Sequence, residues 1–334
     1  MSRREQLRER TNGYTVTPQQ YLWIAYAALA ALTLIVLSGA AVRLTGSGLG
    51  CPTWPKCYGN VYPPLNSHAV IEFSNRVVSV PVVLFAGAAW VGALRRRPYR
   101  RDLVWLGALL PLGVVAQAVL GGFTVKGALD YGWVMGHFAL SMLILLAAAL
   151  LVWRAAHEPL EREPEGDAPA VDRSIALWLR GLAVFGAVTI FAGTAATAAG
   201  PNAGGSQGQR INRLSFNGHG TMDFVIHRHA EIALIFSVVS VALWWFARRR
   251  KVDPAVQRPL SYLCVLLALQ GVVGLDQYET HLPTELVWLH VLLACGAWLC
   301  VLWAAFAAGP LPSREAETAP ERPAESPLST AAPL

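Results

Sequence analysis

The sequence predicts an all-α integral membrane protein, its eight transmembrane helices arranged as two pseudo-symmetric four-helix bundles. Three observations carry this expectation. Hydrophobic residues make up 54% of the 334-residue chain, charged residues only 14%, and the mean hydropathy is +0.41, whereas soluble domains carry about 25% charged residues. Eight stretches come close to or exceed the roughly 20 apolar residues that cross a bilayer. A polar linker divides these stretches into two sets of four that resemble each other. The composition excludes a disordered chain and a typical soluble enzyme, and twelve Trp fit the aromatic belts of a membrane protein.

In chain order, a basic segment (1–20) with four Arg precedes span one (21–42). That apolar stretch is too long for a signal peptide and lacks a small-residue cleavage site, so a retained helix is expected. An outer loop with Cys51 and Cys57 leads to span two (70–94). The loop Arg95–Arg101 holds five Arg and turns the chain into span three (102–122), followed by span four (133–153). The linker 154–174 is polar and contains Pro. Spans five (175–198) and six (222–247) follow, then the RRRK cluster at 248–251. Span seven (259–275) is the shortest, and span eight (286–308) precedes a tail (309–334) rich in Pro, Ala, Glu and Ser that is expected to be disordered. The expected domains are thus an N-terminal bundle (21–153) and a C-terminal bundle (175–308).

Lys and Arg set the orientation. Nineteen fall in the two termini, the linker and the loops on their side; five (Arg43, Lys56, Lys126, Arg210, Arg213) fall opposite. Both termini are therefore expected in the cytoplasm, with the chain in the cell membrane. Basic clusters beside spans read as topology signals and lipid contacts, not as nucleic-acid sites.

The internal repeat pairs Gln117-Ala-Val-Leu-Gly-Gly with Gln270-Gly-Val-Val-Gly-Leu at an offset of 153, which also relates His137 to His290. Gly39-Ala-Ala-Val pairs with Gly193-Thr-Ala-Ala at an offset of 154. Four spans per half give both halves one orientation, as in parallel repeats about an axis along the membrane normal.

Ionisable residues within a membrane are costly and mark function by default. Here they gather near the outer ends of the even-numbered spans. Glu72, Asn75 and Arg76 share a face of span two. His137 opens span four, His227 and His229 open span six, and His290 opens span eight, about one turn in. Two histidines on facing helices can ligate a haem iron from both sides. His290 with His229 or His227 supplies such a pair. Two residues apart on a helix, His227 and His229 point about 200° apart, so one of them faces the interior. His229 lies at an offset of 154 from Asn75, whereas His227-Arg228 matches Asn75-Arg76 at 152; His229 is preferred. In the N-terminal half His137 faces Asn75, a poor iron ligand, which would leave one side of an iron open. The bland alternatives are helix-packing histidines and a structural Glu72–Arg76 pair, since buried charges are usually paired. His68, His157, His219 and His281 read as solvated loop residues, and Asp223 and Glu231 as interfacial. Cys51 and Cys57 lie on the oxidising side, where a disulfide is favoured. Cys264, Cys295 and Cys300 lie in spans and read as small apolar residues.

These residues resemble a known family. Gly39-Ala-Ala-Val-Arg-Leu-Thr-Gly-Ser-Gly-Leu-Gly-Cys-Pro-Thr-Trp-Pro-Lys-Cys57 is similar to the first outer loop of the haem A synthases, and Glu72-Phe-Ser-Asn-Arg76 to their Glu-x-x-His-Arg motif. Gly121-Gly-Phe-Thr-Val125 with Gly136-His137 is similar to the family's passage between spans three and four. Gly193–Gly205 and His229-Ala-Glu231 resemble the actinobacterial branch. The resemblance covers roughly 20–306. It implies oxidation of the C8 methyl of haem O to the formyl group of haem A by successive hydroxylations, for terminal oxidase assembly. It further implies a haem b cofactor between His290 and His229 or His227, and haem O as substrate in the N-terminal bundle. Haem O synthase and oxidase assembly factors are the implied partners. Asn75 departs from the histidine found in many members. His137 would then hold the substrate iron alone, with Arg76 beside it and Glu72 as acid or base. The competing readings are a di-haem electron-transfer protein without catalysis and a transporter. Transporter sites usually lie near the midplane on broken helices, unlike the polar residues here.

Overall fold

The computed structural model describes residues 14–157, 173–206, 208–216 and 218–309. The expectations for segment 1–20 and linker 154–174 fall largely outside these residues, and that for the tail 309–334 almost wholly. The described residues form eight α-helices: α1 (Pro18–Leu44), α2 (Ser67–Arg95), α3 (Arg101–Lys126), α4 (Tyr131–Ala156), α5 (Arg173–Ala199), α6 (Thr221–Arg249), α7 (Pro254–Glu279) and α8 (Thr284–Ala307). A short 3-10 turn, Gly218–Gly220, leads into α6. Among the described residues the only β pairings are isolated bridges, Val16 with Arg96 and Cys57 with Asn60. Every helix is long and apolar enough to cross a bilayer, with 18-residue stretches of mean hydropathy 1.6 to 2.3. The protein is a multi-pass membrane protein.

Local sequence explains the helix starts. Thr17 and Gln20 form a reciprocal capping box before α1, with Pro18 at the first helical position. Asn66, Asp130 and Asp253 cap α2, α4 and α7 through their side-chain oxygens. Seven expected spans lie inside the observed helices, and the eighth runs one residue past Ala307. Span seven is longer than expected. It extends to 26 residues because the polar ends Gln257-Arg258 and Asp276–Glu279 continue the helix.

Each half closes as a ring: α1 packs on α2 and α4, with α3 closing the circle, and α5 packs on α6 and α8, with α7 closing it. The two rings meet through α1 with α8, α4 with α8, and α4 with α5. Close approach of helices in lipid favours small residues. Ala25 and Ala28 of α1 and Ala86, Ala89 and Ala93 of α2 are buried, and the Tyr21 hydroxyl of α1 donates to Ala89 O of α2 at 3.2 Å. The outward faces carry large apolar residues such as Trp105, Leu112 and Val272, suited to lipid. Two indole N–H groups of α8 tie the rings together: Trp288 donates to Leu37 O and Trp298 to Met142 O, both at 3.1 Å.

The basic loop Arg95–Arg101 is more than a topology signal. Arg96 and Arg100 are buried. Arg100 donates to the carbonyls of Arg154 and His157 and pairs with Asp102, so it braces α3 against the end of α4.

Candidate functional site

Each ring encloses a cavity toward the end that carries the Cys51–Cys57 loop. The first, about 480 Å³, lies among α1–α4; the second, about 500 Å³, lies among α5–α8. Both volumes suit a small-molecule or cofactor site.

In the second cavity, His229 of α6 and His290 of α8 face each other with ring centroids 6.2 Å apart and planes at 71°. The Nδ1 atoms of both are buried and have no hydrogen-bond partner. His227 also borders this cavity but is not part of the facing pair. It is exposed, its Nδ1 is 2.7 Å from Asp223 O, and its ring meets Tyr278 edge-on. The helical periodicity that separates positions 227 and 229 turns only the latter toward α8.

In the first cavity, His137 of α4 is the one histidine on the wall among the described residues, and its Nδ1 is likewise buried without a partner. Gln117 of α3 donates to His137 O (3.0 Å) and to Ser141 Oγ (2.6 Å), fixing that turn of α4. Asn75 of α2 lines the same cavity and accepts a hydrogen bond from Ser38 Oγ through Oδ1 at 2.8 Å. Its amide nitrogen still offers two donors.

A feature missed in the sequence links the three histidines: each lies against a glycine of the preceding helix. A Cβ on Gly121 would stand 3.4 Å from His137 Cε1, one on Gly193 3.0 Å from His229 Cε1, and one on Gly274 3.5 Å from His290 Cε1. The fourth glycine of the set, Gly39, has nothing within 4 Å of its Cβ position. Asn75 takes the place where the repeat would put an imidazole. The aligned segments already contained Gly121, Gly274, Gly39 and Gly193, but their spacing alone gave no reason for them.

Glu72 is 6% exposed and sits in the wall of the first cavity. One carboxylate oxygen accepts from Cys51 N–H at 2.6 Å, the other from Arg76 Nη2 at 2.5 Å. Arg76 also donates to the carbonyls of Cys51, Thr53 and Pro55. The pair therefore fastens the loop after α1 to the first turns of α2. Cys51 and Cys57 are disulfide-bonded in that loop. Gly50 permits the close approach, since a Cβ there would lie 2.1 Å from His68 O. Trp54 and Pro55 of the loop reach the cavity, and Trp54 rests on Gly122 of α3. His68 is not a solvated loop residue as expected: it lies in the first turn of α2, half-buried, with Nδ1 3.0 Å from Ser47 Oγ. His157 and His281 are exposed, as expected.

The profile of the COX15-CtaA family, described as cytochrome oxidase assembly proteins, matches residues 22–305, spanning both cavities. The chain belongs to the COX15-CtaA family. Relatives of this COX15-CtaA protein include the heme A synthase of Symbiobacterium thermophilum, 29% identical over 290 residues, covering 82% of this chain and 91% of that one. The heme A synthase of Bacillus cereus is 26% identical over 289 residues, 84% of this chain and 91% of that one. A heme A synthase of Lysinibacillus sphaericus is 36% identical over 137 residues, 39% of this chain and 43% of that one. A protoheme IX farnesyltransferase of Thermus thermophilus is 28% identical over 293 residues, 82% of this chain but 46% of that one. The matches thus span less than half the length of the last two relatives.

The donor set of this COX15-CtaA chain suits a haem better than a bare metal ion. Among the described residues no three His, Cys, Asp or Glu converge. Two metal–nitrogen bonds of about 2 Å each plus the ring half-widths place opposed imidazole centroids at roughly the separation of His229 and His290. A porphyrin would supply the remaining nitrogens, and the largely apolar walls of the cavity suit its faces.

Proposed function

We propose that this chain is a haem A synthase, oxidising the C8 methyl of haem O to the formyl group of haem A by successive hydroxylations for terminal oxidase assembly. The observation that carries the reading is the inequality of the two cavities in a chain of this family. One has two opposed imidazoles; the other has a single imidazole and an amide on its wall.

In this reading the C-terminal bundle (175–308) binds haem b between His229 and His290, and the N-terminal bundle (21–153) binds haem O. The two bundles are pseudo-symmetric halves, a view supported by the matching ring order of their helix contacts. Haem b when bound supplies one-electron redox chemistry. His137 positions the substrate by its iron, and Gln117 steadies the turn that carries His137. Asn75 adds an amide, not a second imidazole, to the wall of this cavity. Apolar residues of α1–α4 exclude water from the ring. Glu72 is the acid–base group at the wall, oriented by the Cys51 amide and Arg76. The Cys51–Cys57 loop covers the mouth with Trp54.

The reading places the protein in the cell membrane with both termini cytoplasmic, as the distribution of Lys and Arg favours. Haem O synthase is the proposed neighbour. A protein named for farnesyl transfer to protoheme IX that contains a region like this chain supports that pairing.

The test is expression with a haem O synthase, purification, and chromatography of the extracted haems beside pyridine-haemochrome spectra. Haem A or its hydroxylated intermediate together with haem b is expected. Haem b alone, with haem O supplied, would overturn the synthase reading. It would favour the second one, a di-haem electron-transfer protein, for which Phe138 bordering both cavities offers a direct route.

A further inference from the structure

Arg43 is counted by sequence among the outer-loop cations, but it lies in the last turn of α1. Among the described residues it is the only charged one that lines both cavities. Its stem packs on Gly204, in the loop after α5, where a Cβ would come within 3.1 Å of Arg43 Cγ. The guanidinium thus stands at the seam of the two rings. Its Nε is buried without a hydrogen-bond partner, and among the described residues Arg43 takes part in no ion pair.

A buried charge within a membrane protein is retained at high cost unless something neutralises it. The acid in the adjoining wall, Glu72, is already engaged by Arg76 and the Cys51 amide. An anionic ligand in either cavity would supply the missing counter-charge. A guanidinium presents five donors in a planar fork that fits carboxylates, and a haem carries two carboxylates on one edge. We propose that Arg43 is a carboxylate receptor shared by the two cavities, taking an edge carboxylate of the tetrapyrrole in each and so linking the two sites. The inference rests on the reading of both cavities as haem sites given above.

The test uses the purified full-length holoprotein, wild type and R43Q. Zinc protoporphyrin IX and its dimethyl ester are titrated into the first cavity and followed by porphyrin fluorescence. Wild type is expected to prefer the free diacid by roughly ten-fold or more, the scale of a charge-assisted pair, and R43Q to lose that preference. In parallel, the midpoint potential of the resident haem is expected to fall in R43Q, because a cation near the haem edge disfavours the oxidised iron. Equal wild-type affinity for diacid and diester overturns the proposal without any variant. So does an undiminished preference in R43Q. A lost preference with an unchanged potential confines Arg43 to the first cavity and overturns the sharing. Failure of wild type to bind either porphyrin, with no haem in the purified protein, would instead remove the haem reading of the cavities and this inference with it.

Discussion

His227 and His229 differ by two positions and by almost everything that matters for ligation. Sequence offsets left both eligible; the rotation of α6 separates them, placing one opposite His290 and the other on an exposed face beside Tyr278. His229→Ala and His290→Ala are each expected to abolish a six-coordinate haem spectrum, whereas His227→Ala is expected to leave it intact, as absorption spectra of the purified variants would show. Glu72 poses a different question, because its hydrogen bonds to Cys51 N–H and Arg76 also serve the loop. Loss of these charge-assisted bonds should destabilise Glu72→Gln by about 1–3 kcal/mol. If Glu72 also moves a proton, turnover per folded molecule should fall by roughly 10²-fold or more. Turnover assayed on the folded fraction separates the two roles, and substantial retained activity would leave Glu72 as a loop anchor alone.

At the scale of helices, the glycine beside each histidine makes a sharp contrast. Gly193→Ala would drive a methyl group to 3.0 Å from His229 Cε1, too close for a packed ring to ignore. Reduced haem content and a shifted Soret band are expected. Gly39→Ala meets open space and should leave both unchanged. That space also predicts that Asn75→His would seat a second imidazole across from His137. A second six-coordinate haem signal is the expected outcome, read by absorption spectroscopy of the purified variant. These pairings explain what was and was not legible beforehand. Hydropathy marks the spans because every helix must meet lipid, and the histidines stand out because polar groups are rare there. The role of Gly121, Gly193 and Gly274 depends on a ring carried by a neighbouring helix, and chain order does not state which helices adjoin. Arg43 was misplaced for a simpler reason: α1 runs two residues past the apolar stretch and carries it inward.

Across the whole molecule, the two rings are joined at several depths. Trp298 is buried, and its indole N–H reaches Met142 O on the other ring. Trp298→Phe should lower stability by about 1 kcal/mol, the net worth of one hydrogen bond, seen as a reduced unfolding temperature in detergent. Nearer the cavities, Gly48 N–H donates to Gly204 O at 3.0 Å and Tyr131 N–H to Asn212 O at 3.2 Å. Ala203 and Gly204, from the loop after α5, form part of the wall of the first cavity. Whatever likeness the halves retain, neither chamber is built from its own half alone: Ala203 and Gly204 finish the first, and Arg43 and Phe138 from the first half border the second. A hybrid that joined the first half of one relative to the second half of another would therefore inherit a foreign wall. The unit that can be exchanged among relatives without remaking a chamber is the stretch from α1 to α8, not either half.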